Sequence, residues 1–216
     1  MFYEPSMGHG LAHDPFYALV SPRPIAWVST RSLAGALNLA PFSFFNAIQT
    51  NPWLVWFSAD GEKDSAAFAR ESGEFVVNLV GMEQARQMNS TAINAPRGTS
   101  EFGYAGLSPA PSRMVAAPRV AGAPAALECR VTEIFRPKTL DGSDSGSHVV
   151  AGEVVGVHID EAFLIDGRFD VVKAGNVARL GYQDYTSVTE IFSMTRPRWP
   201  EGAEGTLPSP PPGKGT

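Results

Sequence analysis

Three short clusters hold the residue types from which a binding site can be built. Lys63, Asp64 and Ser65 follow the apolar run 53–59 (WLVWFSA), where a helix is expected to begin. A helix start leaves backbone N–H groups unpaired and carries partial positive charge. With a lysine charge and a serine hydroxyl added, it is a competent phosphate site. The same tripeptide also reads as a plain helix cap beside an exposed lysine, and taken alone that is the commoner outcome. Ser29 and Thr30 place two hydroxyls at the exit of an expected strand, where such residues are ordinary. The stretch 40–52, APFSFFNAIQTNP, sets Phe42, Phe44 and Phe45 around Ser43, then adds Asn46, Gln49, Thr50 and Asn51 between two prolines. It is read in two ways. It plugs one end of a barrel, or it is a loop whose backbone N–H groups and Asn46 amide face a flat heterocycle walled by the aromatics.

Other reactive residue types are scattered. His9 and His13 share i,i+4 spacing but sit in a glycine-containing arm without a third ligand nearby, so no metal site is expected. The lone Cys129 has no companion that would make it a nucleophile, and reads as structural. Asp14, Glu74, Glu128 and Glu153 form no evident acid/base couple, so no catalytic side chain is named.

The elements that must position these clusters are mostly strands. Residues 24–30 and 36–42 read as a hairpin turning at Ser32–Gly35, and 53–59 as a strand buried on both faces. A short helix over 65–71 has Asp64 as its N-cap and Gly73 as its stop. Residues 75–80 form another strand and 83–89 a second short helix. The region 92–124 is rich in Pro, Gly and Ala with one possible turn near Glu101, and a connection this long is usually functional or interfacial. Strands resume at 125–135 and 148–159 around a tip (DGSDSGS) expected to be mobile, with short strands at 163–166 and 186–194. Residues 196–216 form a Pro/Gly-rich tail expected to be disordered. Many short strands with few helices indicate a mainly β, barrel-centred domain, and no G-x-G-x-x-G follows a strand.

Composition narrows the function classes. With 216 residues, one large domain or two small ones are possible. The net charge of −5 and the scattered basic residues argue against a nucleic-acid surface. One cysteine excludes an internal disulfide, and nothing approaches a membrane span, so a cytoplasmic protein is expected.

Taken in order, SPRPIAWVST (21–30), LNLAPFSFFNAIQTNP (37–52), KDSAAFARESGEFVVNLV (63–80), HVVAGEVVGVHI (148–159) and RLGYQDY (179–185) form a pattern. Together with 101–131, the chain resembles the flavin reductase-like, FMN-binding split-barrel family, from about residue 10 to 193. The resemblance implies a six-stranded Greek-key split β-barrel with short flanking helices, occupying residues 1–195. It implies a homodimer with FMN, or alternatively FAD, near the subunit interface. Carried over by position, Ser43, Phe44 and Asn46 line the isoalloxazine and ribityl chain, Ser29 and Thr30 meet the cofactor, and Ser58, Lys63 and Ser65 hold the phosphate. His148 corresponds to a residue near the nicotinamide. The implied activity is hydride transfer from NADH or NADPH to flavin, with a partner monooxygenase as possible acceptor. An electron carrier without nicotinamide activity and a dimeric scaffold without flavin are the competing readings.

Overall fold

The computed structural model describes residues 1–197. The expected tail lies, from residue 198 on, outside the described residues. One antiparallel sheet of seven strands dominates: β1 (Ala26–Arg31), β2 (Leu37–Phe42), β3 (Phe45–Thr50), β4 (Trp53–Asp60), β5 (Glu74–Asn78), β6 (Ala125–Phe135) and β7 (Ser147–Ile159). Their spatial order is β2-β1-β5-β6-β7-β4-β3. The count is seven where six were expected, and the hydrogen-bond ladder does not close, since β2 and β3 are its two edges.

The additional strand is β3, which occupies the stretch read from sequence as a loop or plug. Its polar residues suit an edge strand with one solvated side, and a register shift between Ala47 and Gln49 bends it. Because β2 ends at Phe42 and β3 starts at Phe45, Ser43 and Phe44 alone connect opposite edges of the sheet. Three Cα steps span at most about 11 Å. The sheet must therefore roll up until its edges meet at this seam, where the Ser58 N–H of β4 bonds the Phe44 carbonyl at 2.8 Å.

The rolled inner face is the core. Val28, Phe42, Phe57, Phe75, Cys129 and Val150 are buried in it, with ring centroids 4.9 Å apart for Phe42–Phe57 and 5.3 Å for Phe57–Phe75. Burying a side chain such as Phe57 stabilises the fold by about 1.5–3 kcal/mol. Burial also pushes the Cys129 thiol far above its ordinary pKa, so it stays neutral, as a structural cysteine should. Strand β4 corrects an expectation. Only Val55, Phe57 and Ala59 face the core, while Leu54, Trp56 and Ser58 on the other side are partly open. Leu54 and Trp56 on that outer side made the run look apolar throughout.

The connection 92–124 and its flanks form a layer over the outer face of β1 and β2. After helices α1 (Phe16–Leu19) and α2 (Asp64–Ser72), Met88 of α3 (Ala85–Ser90) and Phe102 of α4 (Glu101–Tyr104) pack there with Trp27 and Leu39, and the Trp27 Nε1–H bonds Thr91 Oγ1 at 2.8 Å. The tip expected to be mobile is laced internally: the Ser143 N–H bonds Asp141 Oδ1 at 2.9 Å and Arg136 pairs with Asp144 at 3.0 Å. Of the expected late strands, only Leu164–Ile165 and Tyr185–Ser187 form.

Gly152 of β7 shows how closely the roll is packed. A Cβ there would lie 2.6 Å from the Phe75 ring and 2.8 Å from the Arg130 carbonyl oxygen. Gly152→Ala is expected to lower stability by about 1–3 kcal/mol through overpacking. Gly103→Ala in α4, where a Cβ meets nothing within 4 Å, should leave the melting temperature unchanged or slightly higher. Equal melting temperatures for Gly152→Ala and the parent would contradict this packing.

Candidate functional site

Two cavities meet at the seam. A polar one of about 400 Å³ is lined by Asn38, Ser43, Phe44, Ser58, Lys63 and Ser65, and closed on its far side by 91–95. An apolar one of about 580 Å³ shares Phe44 and Ser58 and adds Ile48, Trp56, Phe135 and Val149. Both exist because β4 turns its outer side toward the rolled edge.

Helix α2 (Asp64–Ser72) starts at the polar cavity. Its N-cap is Lys63 in extended conformation rather than Asp64, and no side chain caps it. Asp64 lies one residue too late to cap. Its carboxylate instead pairs with Arg97 at 3.2 Å and accepts the Gly98 N–H at 3.1 Å. The first-turn amides of α2 thus lack a side-chain acceptor, a donor set suited to an anion. Gly73 ends the helix in the left-handed conformation at φ 73°, as expected. Lys63 Nζ donates to Asn94 Oδ1 at 3.2 Å, and the Asn38 amide donates to the Ser65 hydroxyl at 2.7 Å.

Phe44 is fixed from behind. The Tyr17 ring stacks on it at 6.0 Å with a 21° interplanar angle, and the Arg23 guanidinium lies 5.8 Å from its centroid. Arg23 is buried and, among the described residues, pairs with no carboxylate. It donates to the carbonyls of Tyr17, Val20 and Leu180 and, at 3.3 Å, to the Ser43 hydroxyl. Burial and the nearby Arg179 lower its pKa from the usual guanidinium value, so these carbonyls are its compensation.

Of the residues singled out from sequence, Ser43, Phe44, Ser58, Lys63 and Ser65 converge on the polar cavity. Asn46 stands on β3 opposite Trp56, on the side of the apolar cavity, with its Oδ1 accepting the Ala47 N–H at 2.8 Å. Asn46 lines neither cavity, and three further residues do not reach either. Ser29 is enclosed, donating to the Pro118 carbonyl and accepting from the Asn78 amide at 3.0 Å. Thr30 is buried, and its hydroxyl has no partner among the described residues. His148 is turned away from the apolar cavity: strand alternation turns Ser147, Val149 and Ala151 toward it and His148 the opposite way, 2.9 Å from Arg70.

Sequence reasoning missed Asn38, Trp56, Arg23 and the 91–95 wall. Alternation on 37–42 puts Asn38 beside Ala40 and Phe42 on the core face, and a polar residue there was a usable signal. For 91–95 the signal was the length of the connection itself.

The model of the flavin reductase-like domain family matches residues 19–173. An uncharacterised protein of Halalkalibacterium halodurans is 37% identical over 183 residues, covering 82% of this chain and 87% of its own. Among solved structures, nitrilotriacetate monooxygenase component B from Bacillus cereus is 29% identical with a TM-score of 0.80, covering 90% of this chain and 98% of its own. The 2-nitrobenzoate 2-nitroreductase of Pseudomonas fluorescens is 30% identical with a TM-score of 0.74, covering 87% and 92%.

Glu101, at the base of the polar cavity, accepts the Leu39 N–H at 2.9 Å. Burial raises its carboxyl pKa above the ordinary value, against the smaller lowering by that hydrogen bond. The folded chain then binds this proton more tightly than the unfolded chain, so the ionised form costs stability above the unfolded pKa and the cost vanishes below it. Glu101→Gln keeps an acceptor for Leu39. It should melt higher than the parent near about pH 7, with the gain shrinking as pH falls through the folded and toward the unfolded pKa. A gain independent of pH, or a loss at neutral pH, would contradict the assignment.

Proposed function

We propose that this chain, which belongs to the flavin reductase-like domain family, binds FMN across the seam and works as an NAD(P)H-dependent flavin oxidoreductase. The observation that carries the reading is the convergence of Lys63 and the uncapped start of α2 on the same cavity as Ser43 and Phe44. The residues present fit such a group. Lys63, Ser65 and the α2 amides would hold the phosphate. Asn38, Ser43 and Asn46 would serve the ribityl chain and ring edge, Phe44 and Trp56 would wall the ring, and Ser58, expected at the phosphate, lines both cavities between these parts.

When bound, the flavin supplies a redox centre that accepts a hydride from NADH or NADPH. The chain's own part is to orient and to shield. Phe44, braced by Tyr17 and Arg23, gives a fixed wall, and the Ser43 hydroxyl accepts from Arg23 while its own proton remains free to donate. The apolar lining contributed by Trp56, with Ile48 and Phe135 once a second subunit covers them, would shield the ring from water. No side-chain acid or base is required, and none is assigned.

The same reading takes residues 1–195 as one split-barrel domain and the molecule as a homodimer in the cytoplasm. Ile48 is 55% exposed and Phe135 43%, both lining the apolar cavity at the seam, and exposed apolar surface of this kind suits coverage by a second subunit. By analogy with a protein whose name is monooxygenase component B, a partner oxygenase is a candidate acceptor for the reduced flavin.

Two measurements test this. FMN titration by flavin fluorescence should saturate, and Lys63→Ala should weaken it roughly tenfold or more at low salt, with a circular dichroism spectrum like that of the parent. Equal affinity would remove the phosphate assignment, and no binding by the parent would favour a scaffold. In stopped flow, the FMN-loaded protein should bleach rapidly with NADH or NADPH. Absence of bleaching with both would leave an electron carrier instead.

A further inference from the structure

A cavity of about 930 Å³, larger than either at the seam, lies between helix α3 and the hairpin formed by the short strands Val177–Arg179 and Tyr185–Ser187. Met82, Met88 and Val177 give it an apolar part. Its charged lining residues are Arg86 on the α3 side and Arg179 on the hairpin side, and no carboxylate is among the described residues that line it. In a chain of net charge −5 this is a local reversal of sign.

Neither arginine is neutralised from elsewhere. Among the described residues, the arginines in ion pairs are Arg70, Arg97 and Arg136. Strand register instead concentrates the charge. Arg179 stands directly opposite Arg23 of the short strand Arg23–Pro24, and like charges at facing positions destabilise a sheet. After burial, Arg179 is the next cause of the lowered Arg23 pKa. The hydrogen bonds of Arg23 go to carbonyls and to the Ser43 hydroxyl, none of which carries a countercharge. An anion bound at Arg179 would offset the repulsion.

Arg179 is also held in one place while staying reachable. Its guanidinium lies 4.5 Å from the Tyr185 ring centroid and donates to the Tyr185 hydroxyl and the Tyr182 carbonyl. The Tyr185 hydroxyl donates in turn to Asn89 Oδ1 of α3 at 3.2 Å. These bonds leave the Nε–H and further donors of the guanidinium fork without an acceptor among the described residues. Arg179 is partly exposed and Arg86 exposed, so both are open to a ligand entering from solvent. A pre-organised fork, a second arginine on the opposing wall and an apolar floor suit an organic anion, since such forks take carboxylate or phosphate oxygens through parallel N–H···O bonds.

We propose that this cavity binds a small organic oxyanion, a carboxylate or phosphate on an aromatic or apolar body, between Arg86 and Arg179. It shares no lining residue with the two cavities at the seam, so it stands independently of the flavin reading.

The test is calorimetric titration of the purified full chain at constant low ionic strength with benzoate, phenyl phosphate and benzamide. Benzamide has the shape of benzoate without its charge. At least one anion should bind saturably and about tenfold or more tightly than benzamide, and the tighter of the two identifies the oxyanion. Arg86→Gln, at an exposed position of α3, and Arg179→Gln should each weaken that binding about fivefold or more. Arg179→Lys keeps the charge but not the fork, and should recover it only in part. Saturable binding of neither anion would overturn the proposal, as would benzamide binding equally well. So would unchanged affinity in Arg86→Gln, or a loss confined to Lys63→Ala, which would place the anion at the seam.

Discussion

The structure depends on a two-residue link between opposite edges of one sheet. Ser43 and Phe44 leave the edge strand β2 and enter the edge strand β3, and chain geometry forbids those edges from being far apart. Strand twist alone would let a seven-stranded sheet stay open; the short link makes it roll. Rolling has two consequences. The inner face becomes an enclosed core around Phe42, Phe57 and Phe75, and the outer side of β4 is brought against the link. The cavities at the seam result from that second approach. Where β4 stops pairing with β7, the roll is left open, and a further cavity bordered by Phe45, Phe169 and Val171 lies there.

A link carrying this much of the fold needs support, and the support comes from far along the chain. Arg23 ties the carbonyls of the N-terminal arm and of Leu180 to the Ser43 hydroxyl, while Tyr17 lies on Phe44. Gly181 belongs to the same junction, since a Cβ there would come within 2.5 Å of Ala18. A buried guanidinium satisfied by carbonyls is costly to desolvate but rigid in geometry. That rigidity is what a flat ligand wall requires. The site is therefore braced by residues that never touch its interior.

Much of this was legible in the sequence because it is local. The hairpin of β1 and β2, the long strands β6 and β7, and the Gly73 stop are read from alternation and turn residues. The Lys63–Ser65 cluster was recognisable because a helix start has its own residue chemistry. Other features were not local. Edge strand β3 looked like a loop because its outer residues are polar, and β4 looked buried on both sides because Trp56 lines a cavity rather than core. Whether His148 faces the seam turns on a strand's pleat, which a one-residue difference reverses. Arg23 gave no signal, since its partners are backbone carbonyls at Tyr17, Val20 and Leu180. Among the described residues no helix is long and apolar enough to cross a membrane.

The central claim is that the seam and the start of α2 form one flavin site. Hydrogen–deuterium exchange of the purified protein with and without FMN tests it most directly. Slower exchange is expected in two separated peptides at once, one covering 41–46 and the other 62–68, with 148–151 of β7 affected less. Protection confined to one of these, or located in other parts of the chain, would contradict it.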